Sequence, residues 1–222
     1  MSAAEETQWT VESAIPPQIQ SLLSEVSESK PVSYVSLFLQ IVSLLKSQRR
    51  TGWVDHGIPV CESIADHMYR MGVSTMLIKD RSIDTAKCAK IALVHDIAES
   101  LVGDITPYDK VDKNEKHRRE LLTINYLSEL VRKYDEENGK EILELWLDYE
   151  EIRTLEARYV KDIDKYEMLL QCFEYEKQHA GEKKLDQFWS AMASVKTDEI
   201  KSWVEDLWSQ RQALWAKLES KN

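Results

Sequence analysis

A histidine and an aspartate are adjacent at His95 and Asp96, inside the segment CAKIALVHDIAESLVGD. In one continuous helix, at about 100° per residue, these two side chains and Glu99 fall within one wedge of roughly 100°. Apolar residues occupy most of the remaining circumference, which predicts a helix buried nearly all round. Buried imidazole and carboxylate groups are costly unless something satisfies them, and a cation is the natural candidate. A buried His-Asp hydrogen bond or a helix N-cap is the plainer alternative.

Two further segments carry metal-ligand side chains on apolar helix faces. His67 lies beside an apolar stripe in ESIADHMYRMGV, and Asp164 lies on an apolar face in LEARYVKDIDKYEMLLQCFEY. Taken singly, His67 could be a satisfied core histidine, and Asp164 could pair with Lys161 or Lys165. Three separate segments that each direct such a side chain inward argue against three unrelated coincidences. The sequence therefore predicts four ligands of one metal ion: His67, His95, Asp96 and Asp164.

The composition of this ligand set limits the choice of metal. Two imidazoles and two carboxylates suit Mn²⁺, Fe²⁺, Co²⁺, Ni²⁺ or Zn²⁺ better than an ion such as Ca²⁺, which prefers oxygen ligands alone. Four protein ligands on an octahedral ion leave positions for water and substrate. We expect one divalent transition metal ion per chain, with Mg²⁺ able to replace it in part.

The elements that must position these side chains are helices. From Val32, the dense apolar run YVSLFLQIVSLLK suits a buried helix, with a strand as the alternative. Residues 48–61 contain two glycines and a proline, which predict a loop. Sustained alternation of period two is absent from the sequence, as is a hairpin signal, so the predicted fold class is all-α. Helical periodicity predicts further helices at about 62–79, 84–101, 113–134, 140–150, 154–180 and 197–219.

Length and composition favour a single helical domain. The chain has 222 residues, of which 43% are hydrophobic and 31% charged, which is enough for one sizeable core. Residues 1–30 combine polar side chains with Pro16 and Pro17, so they predict an N-terminal arm that is mobile or loosely docked. Residues 31–222 form the predicted domain, with a motif core at about 33–180 and a helical extension to 222.

Charge and cysteine content restrict the partners and the compartment. A net charge of -10 argues against a nucleic-acid polymer or an anionic membrane as partner, because both need a basic surface. An anionic small substrate remains possible if a bound metal supplies a local positive centre. Three cysteines without a CxxC spacing favour a reducing compartment. We expect a cytoplasmic protein, with the nucleus as a second location.

The order of His, then His-Asp, then a distant Asp resembles the HD-domain superfamily of metal-dependent phosphohydrolases. Within it, ADHMYR, HDIAESLVGDITP, KHRRE and VKDIDKYEM are similar to the HD-domain-containing protein 2 branch, which resembles bacterial 5'-deoxynucleotidases. The resemblance implies an HD-type helical bundle and a homodimer. It also implies that a divalent ion supports hydrolysis of deoxyribonucleoside 5'-monophosphates to nucleoside and phosphate.

The resemblance also assigns roles to four residues around the ligands. Glu99 and Asp104 are implied in catalysis or substrate binding, and Arg50 and Trp53 in substrate contacts. Related bacterial enzymes have the arginine and tryptophan adjacent, whereas two residues separate them here. Each position has a structural alternative: Glu99 could orient a ligating histidine, Asp104 could form a turn, and Arg50 and Trp53 could stabilise a loop.

Other functions and surfaces stay open at this stage. Another HD chemistry, acting on cyclic nucleotides, nucleoside triphosphates or alarmones, would use the same ligands. A metal-stabilised helical scaffold without catalytic activity is the second alternative. The basic run Lys116–Arg119 is interpreted as a solvated helix face. Besides the resemblance, the tryptophan-rich C-terminal helix favours a homodimer, because it offers more aromatic surface than a small monomer exposes.

Overall fold

Helices form the regular structure of the computed structural model, which describes residues 8–179 and 182–220. Strand pairing within those ranges is limited to two isolated bridges, Ser27–Lys30 and Arg49–Ser63. The all-α prediction is confirmed. Short 3₁₀ segments cover Ser43–Lys46 and Asp186–Ser194. The α-helices are α1 (Val11–Ala14), α2 (Pro17–Leu23), α3 (Val32–Val42), α4 (Thr51–Asp55), α5 (Ile64–Thr75), α6 (Thr85–Val94), α7 (Glu99–Val102), α8 (Lys113–Arg132), α9 (Glu136–Glu151), α10 (Leu155–Gln178) and α11 (Asp198–Glu219).

One predicted helix is interrupted at the His-Asp pair. The sequence predicts a continuous helix over 84–101, but the chain forms a turn over residues 95–98, between α6 and α7. The imidazole of His95 accounts for the interruption, because its Nδ1 donates to the Ala92 carbonyl oxygen at 2.9 Å. In a continuous helix that carbonyl would accept from the backbone four residues later. The prediction that this helix is buried nearly all round is also wrong, since Leu93 is 51% exposed.

The loop predicted over 48–61 contains the short helix α4. Its first residue, Thr51, donates its backbone N–H to Asp104 Oδ2 at 2.7 Å. This bond satisfies one of the N–H groups that a helix start leaves without an intrahelical partner. Gly57, at φ 67°, provides the left-handed backbone that follows the helix. Local composition does not reveal α4, because its support comes from a residue far along the chain.

The helices group into two units, each discontinuous in sequence. The first comprises residues up to Ala65 and Asp96–Trp146. Within it α3 packs against α7 and α8, and α1 packs against the same two helices.

Residues 1–7 of the predicted N-terminal arm lie outside the described residues. The limits of the arm and of a single domain stay predictions. Apolar side chains of the arm that are buried in this unit are Val11, Ile15 and Ile19.

The second unit comprises Asp66–His95 and the chain from Leu147 onward. Its central helix, α10, packs against α6, α11 and the 3₁₀ segment Asp186–Ser194. Arg211 of α11 forms a buried ion pair with Glu176 of α10 at 2.7 Å. Both groups are buried away from water. Loss of either partner should therefore destabilise the protein more than loss of one partner of a surface ion pair in the unit.

The C-terminal tryptophans pack inside this second unit. The guanidinium of Arg211 lies 4.8 Å from the ring centre of Trp189 and 5.2 Å from that of Trp208. Trp189 is buried, and Trp203, Trp208 and Trp215 are half-buried. The expectation of an exposed aromatic surface on this helix is therefore wrong, because cation–π and ring contacts cover part of each tryptophan ring. In the described part of the chain, no helix combines the length and the hydrophobicity that a membrane crossing requires.

Candidate active site

His67 and Asp164 face each other from two helices of the second unit. The imidazole of His67, on α5, is fully buried, and its Nε2 lies 3.2 Å from Oδ1 of Asp164, on α10. Two ligand atoms bound to one octahedral ion at about 2.1 Å and at right angles lie about 3.0 Å apart. The observed separation therefore suits two ligands of the same ion.

His95 lies next to the imidazole of His67. Their ring centres are 5.6 Å apart, with the planes at 67°. Because Nδ1 of His95 donates to a backbone carbonyl, its Nε2 is the nitrogen with a lone pair for a metal. Asp96 follows directly in the chain, and one ligand atom each from His67, His95 and Asp96 lies within 4.8 Å of the others. This cluster is able to bind a metal ion, and its nitrogen and oxygen donors fit a divalent transition metal.

Tyr149 supports Asp164 and was not found by sequence reasoning. Its hydroxyl donates to Oδ2 of Asp164 at 2.8 Å, so that Oδ1 is the oxygen turned to His67. Its ring also packs against the imidazole of His95, with the centres 4.7 Å apart. Lys161, considered above as a partner of Asp164, places its Nζ 3.6 Å from the centre of the Tyr149 ring. A tyrosine five residues before the α10 N-cap gives no local signal for this contact.

Glu167 and Arg70 support His67 from the side opposite Asp164. The carboxylate of Glu167 accepts a hydrogen bond from Nδ1 of His67 at 2.5 Å. Its other oxygen accepts from Nε of Arg70 at 2.6 Å. Sequence reasoning did not single out either residue. Their signal is a shared spacing: Arg70 follows His67, and Glu167 follows Asp164, by three residues each, which places each pair on one helix face.

Glu99 is a buried carboxyl group at the start of α7 in the first unit. It is 4% exposed, and its Oε2 has no hydrogen-bond partner among the described residues. Burial, followed by the charges of Asp96 and Asp104, raises the pKa of Glu99 well above its ordinary value. A carboxyl group that keeps its proton near neutral pH can act as a general acid.

Lys116 approaches this carboxyl group from the first turn of α8. Its Nζ lies 3.9 Å from Oε1 of Glu99 and 3.5 Å from Oε1 of Glu120, and it donates to the Ile105 carbonyl oxygen at 2.9 Å. Burial acts to lower the pKa of Lys116, but the neighbouring carboxylates outweigh burial and raise it. The interpretation of this residue as part of a solvated face is wrong, because the side chain is only 32% exposed.

Arg50 and Trp53 differ in their surroundings. Nη1 of Arg50 lies 3.4 Å from Oδ2 of Asp96, which places a positive charge beside a predicted ligand. Trp53 is 2% exposed, and its indole N–H donates to Oε1 of Glu62 at 2.9 Å. Burial of this ring supports the structural alternative for Trp53. Asp104 accepts the Thr51 N–H described above, so it ties its loop to α4 as well as forming a turn.

A comparison with protein families identifies the family of this chain. The sequence model described as HD domain matches residues 42–208. The chain belongs to the HD domain family. The predicted family membership is confirmed. His95 and Asp96 both lie within the matched residues and within the cluster able to bind a metal.

Several relatives of this HD domain protein are named 5'-deoxynucleotidases. It is 56% identical to 5'-deoxynucleotidase YBR242W of Saccharomyces cerevisiae, over 96% of this chain and 88% of that protein. It is 42% identical to the human 5'-deoxynucleotidase HDDC2, over 78% of this chain and 84% of that protein. Among solved structures, HD domain-containing protein YGK1 has a TM-score of 0.74 and 47% identity, covering 94% of this chain and all of that one.

Proposed function

We propose that this HD domain protein hydrolyses deoxyribonucleoside 5'-monophosphates to nucleoside and phosphate with the help of one divalent metal ion per chain. The observation that carries the proposal is the cluster of His67, His95 and Asp96, whose ligand atoms lie within 4.8 Å of one another. Asp164 completes the proposed ligand set, because its Oδ1 faces Nε2 of His67. Relatives that are named 5'-deoxynucleotidase support the choice of substrate.

The proposed chemistry divides between the ion and the side chains. When bound, a divalent ion polarises a phosphoryl oxygen and lowers the pKa of a water molecule, which then serves as nucleophile. Arg50 provides a guanidinium that can bind phosphate oxygens, and Lys116 adds positive potential beside Glu99. Glu99 donates its proton to the leaving 5'-oxygen of the sugar, a role that its raised pKa favours. Asp104 holds the loop that precedes α8 against the start of α4, beside Arg50.

A phosphate-release assay on the whole chain tests this function. The substrate panel contains deoxyribonucleoside and ribonucleoside 5'-monophosphates, cyclic nucleotides, nucleoside triphosphates and a guanosine alarmone, each with Mn²⁺, Fe²⁺, Co²⁺, Ni²⁺, Zn²⁺ and Mg²⁺. We expect the deoxyribonucleoside monophosphates to give the highest kcat/KM, and a transition metal to support more turnover than Mg²⁺. Chelator-treated protein is the control. A preference for another substrate class, or equal turnover without metal, would refute the proposal.

We also propose that the protein is a homodimer that pairs through an apolar patch formed by α5 and the turn that follows it. Tyr69 and Val73 on α5, with Met76 and Leu77 in the turn, are between 42% and 74% exposed, which is unusual for adjacent large apolar side chains. Met76→Glu should place two like charges at such an interface and favour the monomer. Light scattering of the unchanged protein at micromolar concentration should give twice the 25.8 kDa chain mass. A mass close to one chain would reject the dimer.

The proposed location is the cytoplasm, with the nucleus as a second compartment. Cys61, Cys88 and Cys172 are all free, and burial raises the pKa of both Cys88 and Cys172 to about 12. Such thiols are protonated and unreactive, as suits a reducing environment. A fluorescent fusion found only in a secretory or mitochondrial compartment would contradict this location.

A further inference from the structure

We propose that Glu167, held in place by Arg70, is a positioning residue that directs Nε2 of His67 toward the metal ion and strengthens its binding. This inference rests on the metal site of the proposed function. It goes beyond that function because it concerns a side chain that is neither a proposed ligand nor a substrate contact. The expected change in metal affinity can be measured without any nucleotide.

The geometry identifies the Glu167 contact as a hydrogen bond rather than as metal ligation. Its Oε2 lies 2.5 Å from Nδ1 of His67. Two atoms that ligate one ion at about 2.1 Å and at right angles would lie about 3.0 Å apart. A carboxylate oxygen can only accept here, so Nδ1 carries the proton and Nε2 keeps its lone pair for the metal. Nε2 is also the atom that faces Asp164, 3.2 Å away.

Arg70 fixes the Glu167 carboxylate through its second oxygen. Nε of Arg70 donates to Oε1 of Glu167 at 2.6 Å, Nη2 donates to Gln171 at 2.7 Å, and Nη1 donates to Glu174 at 2.9 Å. All three acceptors lie on one face of α10, three or four residues apart. The guanidinium therefore holds one oxygen of the carboxylate while the other accepts from His67. Glu167 itself is 1% exposed, so its charge is poorly screened and acts strongly on the imidazole.

At this position, a carboxylate can accept one hydrogen bond from each neighbour, whereas the amide of the same size cannot. Nδ1 of His67 and Nε of Arg70 are both donors, and they approach different oxygens of Glu167. In Glu167→Gln, one of these oxygens becomes an NH₂ group, which is a donor. Whichever way the amide turns, one of the two contacts becomes donor against donor. The substitution also removes the negative charge that makes the imidazole a stronger metal ligand.

The test compares Glu167→Gln with Glu174→Gln in the full-length protein, using Co²⁺ as the probe. Glu174 also forms an ion pair with Arg70, but its side chain is 35% exposed. Glu174→Gln is therefore the same chemical change as Glu167→Gln, made at a residue that does not contact His67. Metal-free protein is titrated with Co²⁺ by calorimetry, and the visible absorption of bound Co²⁺ reports on its ligands. We expect Glu167→Gln to weaken binding by on the order of 10- to 100-fold and to alter the spectrum. Glu174→Gln should stay within about threefold of the unchanged protein.

Excess metal separates positioning from a purely structural role. If Glu167 acts through metal affinity, saturating Co²⁺ should restore most of the turnover of Glu167→Gln, whereas a misfolded variant would not recover. Arg70→Lys is the second variant, in case Glu167→Gln does not fold. It keeps the charge but loses the fork of donors, and we expect about tenfold weaker Co²⁺ binding. Unchanged affinity in whichever of these variants folds, or equal weakening in Glu174→Gln, would overturn the proposal. Tight Co²⁺ binding without any nucleotide hydrolysis would instead refute only the proposed function.

Discussion

Replacement of Glu99 by glutamine separates proton transfer from folding and metal binding. Glutamine keeps the size of the side chain and resembles the protonated carboxyl group, which is the form that the raised pKa of Glu99 favours. The Oε2 atom has no hydrogen-bond partner among the described residues, and Oε1 lies 3.9 Å from Lys116, beyond hydrogen-bond distance. The substitution therefore breaks no hydrogen bond seen in the described structure, so it should not destabilise the fold.

The expected loss of activity follows from the role as proton donor. General acid or base catalysis contributes about 10²- to 10⁴-fold, which corresponds to roughly 3–5 kcal/mol of barrier. We therefore expect kcat for a deoxyribonucleoside monophosphate to fall by this factor in Glu99→Gln, with about one metal ion per chain retained. Phosphate release gives the rate, and elemental analysis gives the metal content. Full activity with the metal retained would refute the proton-transfer role, and loss of the metal would make Glu99 a ligand or an essential support of one.

The stability of the metal-free protein provides an independent check on the raised pKa of Glu99. The unfolded-state pKa of a glutamate is about 4.3. Because the folded-state pKa is raised, the stability contributed by protonated Glu99 is fully present below that value. It is lost as the pH rises through the folded-state pKa. Glu99→Gln cannot ionise, so urea denaturation should show equal stability at low pH and a more stable variant at higher pH. A less stable variant at higher pH would contradict the assigned shift.

Four further substitutions test the ligand set and its supports. His67→Ala and Asp164→Ala should each lose the bound metal by elemental analysis, and retention in both would remove the site as proposed. Tyr149→Phe deletes the 2.8 Å hydrogen bond to Asp164, so competition with a chelator should show about tenfold weaker metal binding; wild-type affinity would exclude this support. Asp104→Ala removes the acceptor of the Thr51 N–H. We expect thermal denaturation to show a loss of about 1 kcal/mol in the free energy of unfolding. An unchanged melting temperature would show that this hydrogen bond does not contribute to stability.

Two of the proposed ligands could be selected from the sequence because each interrupts an apolar helix face. His67 and Asp164 stand out within α5 and α10 by periodicity alone, and a buried polar group is a signal that needs no knowledge of the fold. The break between α6 and α7 could not be predicted in this way. It depends on the imidazole of His95 bonding to the backbone of Ala92, and periodicity does not describe that competition.

The supporting residues require pairings between distant parts of the chain. Glu167 contacts a histidine 100 positions away, and its apolar neighbours do not distinguish it from a surface glutamate. Lys116 belongs to a run of basic residues that suggests a solvated face, yet it alone reaches the carboxyl group of Glu99. For such residues, function depends on which helix packs opposite, so a ligand set predicted from periodicity should be followed by a search for charged residues three or four positions from each ligand. Applied to His67 and Asp164, that search leads directly to Arg70 and Glu167.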